Sequence, residues 1–218
     1  MRRARAEGAD VILTGRKPES LESAAQDLGA ISTAAFEAND PAELERFFAG
    51  LPEEIDHVMV TAGRPHYGRL LEMKVDELRD SLGDRLLLAI QVARNAADKM
   101  RPGGTLVFMS AIEGGHPTAG SGSVSTVAAA FSELIASLAL EIAPVRANLI
   151  FAGFTDSPLS ASLLGGELEK RRDQLRATLP IGRVIEPADV AALAVHIMAN
   201  TALTGAAYTI DGGQRLVE

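Results

Sequence analysis

Cysteine is absent from the 218 residues. That excludes disulfides, thiolate metal sites and a cysteine nucleophile, and it suits a reducing, cytoplasmic setting. Histidine is scarce, at positions 57, 66, 116 and 196 only, and never in the helical pairing that a zinc site requires, so no metal role is expected. Basic charge is in deficit: 21 Lys and Arg stand against 29 Asp and Glu, for a net charge of -8. Such a field repels phosphate backbones, so no nucleic-acid partner is expected. The short basic runs RRARAE and EKRRDQLR read as solvated helix faces. An apolar run of membrane length is lacking too, because the longest candidate carries Glu133 and Glu141. The basic start from Met1 to Arg5 leads into Ala6, Glu7 and Gly8 rather than an apolar core, so no signal peptide is expected. Repeats, linkers and low-complexity tracts are missing as well. What is present, 47% hydrophobic and 23% charged residues, is the composition of one globular domain spanning 1–218.

Within that domain, strand and helix patterns alternate. Met1 to Ala6 reads as the last turns of a helix closed by Gly8, followed by ADVILTG as a short strand. Pro18 opens a helix that Gly29 ends, and ISTAAFEA follows as a strand. Asp40 and Pro41 open the helix PAELERFFAG, and IDHVMVTAG reads as a third strand whose apolar run fits a sheet covered on both faces. A helix over roughly Val75 to Met100 leads through RPGG into TLVFMS. That strand, ending in Ser110, and the helix SVSTVAAAFSELIASLALEIA form the centre of the pattern. Apolar residues run almost all round this helix, which predicts burial on most sides. VRANLIFAG is a fifth strand, SPLSASLLGGELEKRRDQLRATLP a broken helical segment of the kind that covers a site, DVAALAVHIMAN the last helix and GAAYTIDGG a closing strand. The alternation predicts right-handed crossovers and a parallel, doubly wound α/β sheet. Ligands of such sheets sit outside the carboxyl ends of the strands, which makes Ser110 and the loop after it the floor of a pocket.

Two stretches carry a resemblance to a known family. GRVIEPADVAALAVHIMANTALTGAAYTIDGG and SLALEIAPVRANLIFAGFTDSPL resemble the short-chain dehydrogenases and reductases, and the likeness extends over essentially the whole chain. It implies a Rossmann-like sheet with helices on both faces, a nicotinamide dinucleotide cofactor, a small carbonyl or alcohol substrate and a homo-oligomer, dimer or tetramer. The family's first strand and its Gly-rich phosphate-binding turn have no counterpart here. Met1 falls inside the helix that would follow them, so the sheet is expected to be interrupted in its middle, either because the start of the unit is missing or because the sheet is rearranged.

By the resemblance, the family's Tyr and Lys fall on Val124 and Ala128, neither of which can titrate, and its Asn falls on Arg85. Ser110 alone matches the catalytic set, where it would polarise the substrate oxygen; a hydroxyl capping local backbone is the competing reading. For the cofactor, Gly15 and Arg16 in TGRKP resemble the turn whose arginine meets the 2'-phosphate of NADP by a forked contact, which places NADP ahead of NAD. Glu37 and Ala38 occupy positions beside adenine, and Ala62 and Gly63, after Thr61, keep room for a flat base. Gly153, Thr155 and Ser157 resemble the nicotinamide-side loop. Other proton carriers are His66 and Tyr67 on the loop after the third strand, and His116 with Ser123 on the loop bordering the site. Tyr208 reads as packing and Asp211 as part of a structural closing turn. Three functions follow: an oxidoreductase with an atypical site, a nucleotide-binding or assembly protein that has lost the chemistry, or a chain that binds no dinucleotide.

Overall fold

The computed structural model describes residues 1–52, 54–63, 66–112 and 119–217. The opening helix α1 (Arg2–Ala6) is followed by β1 (Ile12–Gly15), α2 (Pro18–Leu28) and β2 (Ser32–Ala35). Gly29 ends α2 in the left-handed conformation, its amide bonded back to the Ala25 carbonyl, the conformation in which a glycine lacks the side-chain clash. Then come α3 (Pro41–Ala49), whose Asp40 cap accepts from the amides of Ala42 and Glu43, and β3 (Ile55–Val60). The second half holds α4 (Val75–Ala96), β4 (Met100–Ala111), α5 (Gly122–Glu141), β5 (Arg146–Ala152), α6 (Pro158–Leu164), α7 (Leu168–Thr178), α8 (Pro187–Ala199), β6 (Ala207–Ile210) and α9 (Gln214–Val217). The α4 helix stops four residues short of Met100, which already belongs to β4.

All ladders are parallel. They form two sheets, β1-β2 and β3-β4-β5-β6, so the Rossmann-like sheet is interrupted between β1 and β3. The apolar β3 is therefore an edge strand; its two faces are covered as predicted, Val58 and Val60 packing against one core and Met59 against another, although its residues stay half-buried or exposed. No neighbouring strand shields its outer edge among the described residues. By contrast β5 is buried along nearly its whole length.

Helices join the two sheets from both faces. On one face α3 packs on α4 and α4 on α5, and the largest core runs from Leu44 and Phe48 of α3 through Leu88 and Val92 of α4 to Phe131 and Ile135 of α5 and Phe108 of β4. On the other, α1 meets α8, and Val190, Ala194 and Ile197 of α8 close over Val107 and Ile150. The predicted burial of α5 on most sides is found only in part. Ser123, Val127, Phe131, Ile135 and Leu138 point into the core, while Leu140 is 83% exposed. By length and composition alone α5 is apolar enough to cross a membrane, but this inward face is occupied by core packing. Its outer face, with Leu82 and Leu87 of α4, leaves apolar surface in contact with water.

Candidate active site

Parallel strands bring their carboxyl ends to one edge. The register sets Val60 of β3 beside Phe108 of β4, so the chain leaves β3 at the level of Ser110. Ser110 in turn lies beside Phe151, and Ala111 beside Ala152, immediately before Gly153. Arg16 follows β1 and Glu37 follows β2 at the carboxyl ends of the smaller sheet. The sequence positions assigned to cofactor and substrate thus lie at or shortly after strand ends, except Ser157, which caps α6.

Ser110 is 5% exposed and forms the floor of a pocket with Gly63, His66, Arg85, Val124 and Val127, with Asn39, Asp80, Ser81 and Asp84 along the wall. Its hydroxyl receives the Arg85 Nη1 donor at 3.4 Å. Arg85 arrives there because it continues the inward stripe of α4: Ala89 and Val92, four and seven residues on, are both buried. Burial lowers the Arg85 pKa from its ordinary value, and Tyr67 acts in the opposite sense. A guanidinium nevertheless remains charged. Gly63, with φ of 104°, lets this guanidinium approach: a Cβ there would lie 3.2 Å from Nε. Burial, then the neighbouring Asp80, holds the Asp84 carboxyl above the usual carboxylate range, while His66 pulls it down. Asn39 Nδ2 lies 3.5 Å from Asp84 Oδ2.

The loop carrying His66 is pinned. The Ser123 hydroxyl donates to the His66 carbonyl at 2.7 Å, and the Gly68 amide donates to the Gly120 carbonyl at 2.9 Å. Ser123 is fully buried, so its hydroxyl serves the backbone. His116 lies outside the described residues. Tyr67 is 60% exposed, and Tyr208 packs beside the smaller core. Val124 lines the pocket and Ala128 is fully buried beneath it.

The remaining candidates fall into two groups. Arg16 is exposed and loosely held, 3.8 Å from Glu37; the Glu37 amide donates to Glu43, and Ala38 packs against the main core. Ala62 is exposed, while Gly15 faces Leu21, whose side chain lies 3.3 Å from where a Cβ would be. The second group is more committed to protein partners. Gly153 is packed against Asp211 and Gln214, the Thr155 hydroxyl donates to the Gly153 carbonyl, and Ser157 caps α6. Asp211 accepts from the amides of Gly213 and Arg215, as a structural closing turn does.

The covering segment is fastened to that loop. Arg172 of α7 donates to Asp156 at 2.6 Å and also pairs with Glu169, while Arg171 lies 6.0 Å from the Phe154 ring. EKRRDQLR is therefore not simply a solvated face, since the Arg172 side chain is 23% exposed.

A nicotinamide dinucleotide fits the residues present at its two ends. An exposed, weakly paired arginine stands by β1, and small residues leave the β3 end open beside Ser110. Between them, no glycine-rich turn opening a helix stands between β1 and β3 among the described residues. The diphosphate would have to be held by other groups.

Asn39, Asp80, Ser81 and Asp84 are pocket residues that the sequence pattern left out, whereas Arg85 stood as a departure from the family's Asn and His66 as a proton carrier on the loop after β3. The signal for Arg85 was its phase, a cation in line with the buried stripe of an amphipathic helix. The signal for His66 was its place on the loop after β3, but what holds it there, the contact to Ser123, spans 57 positions and was not legible.

The family model for enoyl-(acyl carrier protein) reductases, of the short-chain dehydrogenase/reductase type, matches residues 1–215. An NADP-dependent (R)-specific alcohol dehydrogenase of Lentilactobacillus kefiri is 29% identical over 95% of this chain and 87% of its own length. The human 3-oxoacyl-[acyl-carrier-protein] reductase is 24% identical over 96% and 89%. Among solved structures, the L-sorbose reductase of Gluconobacter frateurii, complexed with NADPH and L-sorbose, superposes with a TM-score of 0.87 at 20% identity, covering 98% of this chain and 90% of that one.

Proposed function

Since the chain belongs to the short-chain dehydrogenase/reductase family of NAD(P)-dependent oxidoreductases, we propose that it interconverts a small carbonyl compound and its alcohol, using NADP in preference to NAD. The cofactor supplies or accepts the hydride when bound. The observation that carries the reading is the meeting of Ser110 Oγ and Arg85 Nη1, 3.4 Å apart at the end of β4. In this reading Ser110 donates to the reacting oxygen, and the half-buried Arg85 cation stabilises negative charge developing there, an effect that a dry, preorganised site strengthens. Val124 and Ala128 cannot move a proton, so His66, the imidazole lining the pocket, passes it to or from that oxygen. Arg16 binds the 2'-phosphate, Glu37 and Ala38 flank adenine, Ala62 and Gly63 floor the base, and Gly153, Thr155 and Ser157 border the nicotinamide. Apolar residues left exposed on α4 and α5 are covered in a homo-oligomer.

Steady-state assays with NADPH and NADH across a carbonyl panel test the activity. A well-placed acid is worth about 100 to 10,000-fold, so turnover is expected to be slow and to fall further in His66→Gln. Arg16→Ala should weaken NADPH and leave NADH unchanged. Absence of turnover with both cofactors sinks the enzymatic reading.

A second reading, a nucleotide-binding or assembly protein without chemistry, is favoured by one observation: the positions of the usual proton carriers are Val124 and the buried Ala128. Under it, Val124→Tyr with Ala128→Lys creates activity in a parent that has none. Activity in the parent rules it out.

A further inference from the structure

Burial lowers the pKa of both the Arg146 and the Arg85 guanidinium, yet the two are treated very differently. Arg146 is surrounded by carbonyl oxygens of Gly103, Ile197, Met198, Asn200 and Leu203, at 2.7 to 3.2 Å. Among the described residues, Arg85 has only the Ser110 hydroxyl, at 3.4 Å. Among the described residues no carboxylate lies within ion-pair distance of it. A half-buried charge with so little compensation is costly to keep. Arg85 lines the pocket, Ser110 meets its Nη1, and Gly63 has no side chain to fill the space beside Nε and Nη2.

We propose that Arg85 is an anion-binding residue that selects substrates bearing one carboxylate directly beside the reacting carbonyl, that is, 2-oxo acids and the matching 2-hydroxy acids. The proposal rests on the oxidoreductase reading above for its reaction, and on the Arg85 geometry alone for its ligand. A guanidinium grips a carboxylate through two parallel donors. The second donor, Ser110, is close enough to address an oxygen on the neighbouring carbon. The exposed carboxylates Asp80 and Asp84 along the wall repel additional negative charge, so the fit is to a monoanion. In the reduction, the 2-oxo carbon receives a hydride from the reduced nicotinamide, the C=O electron pair moves onto oxygen, and that oxygen takes one proton. The 2-oxo acid becomes a 2-hydroxy acid while the dinucleotide is oxidised.

The test is calorimetric titration of the full chain, with and without saturating NADP, using oxamate, a monoanionic mimic of a 2-oxo acid, and oxamide, its neutral counterpart. Oxamate is expected to bind roughly tenfold or more tightly than oxamide, because a charge-assisted contact to a carboxylate is about twice as strong as its neutral counterpart. Arg85→Gln should abolish the difference, and Arg85→Lys, which keeps the charge but not the fork, should retain part of it. Equal binding of the two ligands by the parent chain, no binding of oxamate, or an unchanged preference in a folded Arg85→Gln overturns the proposal. Oxamate binding through Arg85 with no turnover on any carbonyl would leave the anion site standing and remove the oxidoreductase reading. Reduction of neutral ketones without preference for their 2-oxo acid analogues does the reverse.

Discussion

Glycine can be kept for a ligand or for the protein's own packing, and Gly153 shows how the two are told apart. A Cβ on it would come within 2.8 Å of Asp211 Cβ and 2.9 Å of both Asp211 Cα and Gln214 Oε1. The Gln214 oxygen also accepts the Phe154 amide at 2.8 Å. Gly153→Ala should therefore push the closing turn away from the end of β5, at a cost of about 1 to 3 kcal/mol in urea unfolding, the usual range for overpacking. An unchanged midpoint with weakened cofactor affinity would assign the glycine to the ligand instead. Gly63 is the other kind of case, since its missing side chain makes room for a charged group in the pocket. The sequence distinguishes poorly between them. Both glycines follow an apolar strand, and the residues that crowd them lie far away along the chain. Ser110 was legible because it ends a strand with a strong pattern. Arg85 was legible as a departure from the family, but its meeting with Ser110 depends on the rotation of α4, which one helix turn decides.

Helix α8 depends on ionic contacts at both ends, and each gives a prediction. At its C-terminal end Arg146 donates to carbonyls of Ile197, Met198 and Asn200, the groups a helix leaves unpaired there. Arg146→Met would strand several buried oxygens, and hydrogen bonds to charged groups are each worth about 1.5 to 3 kcal/mol. Its urea midpoint should fall by far more than that of an exposed control such as Arg94→Met. At the N-terminal end Asp189 accepts from Arg183 through both oxygens, at 2.6 and 2.7 Å, and from the Glu186 amide. The Arg183 hydrogen bonds, then that amide, lower the Asp189 pKa to about 2. A depressed carboxyl stabilises the fold above its unfolded pKa of about 3.9 and loses that contribution as pH falls towards the folded value. Unfolding of the parent and of Asp189→Asn should thus differ at pH 7 and converge between about pH 4 and pH 2. The pair is partly open to solvent, so the difference is modest. Such end contacts were half visible beforehand. PADV announced a helix start, whereas the Arg146 clasp joins residues about fifty positions apart.

For the molecule as a whole, alternating strand and helix patterns sufficed to foresee a parallel α/β fold, because each element's period is local. The edge position of β3 was not legible, for the opposite reason. Its apolar sequence suits a central strand, and its neighbours depend on which strands the chain supplies. The consequence is uneven stability. The β4 and β5 strands lie inside a four-stranded sheet between two cores, with Leu106, Val107, Leu149 and Ile150 fully buried. The β1-β2 pair has few buried residues, Leu13 alone among its eight positions, and is attached mainly through α3 on α4 and α1 on α8. A two-stranded unit has little independent stability, so it should open without global unfolding. Native-state hydrogen exchange tests this directly. Amides of Leu13 and Thr33 should exchange early, at rates insensitive to low urea, because local opening exposes little surface. Those of Phe108 and Leu149 should exchange late and accelerate with urea. If all four share one protection level and one urea slope, the two sheets unfold as a single cooperative unit and the helices between them are the stronger bond. Adding NADP extends the test: a ligand that spans Arg16 and Ser110 would raise protection in β1 as well as β4, since binding only the folded arrangement stabilises every opening that breaks it.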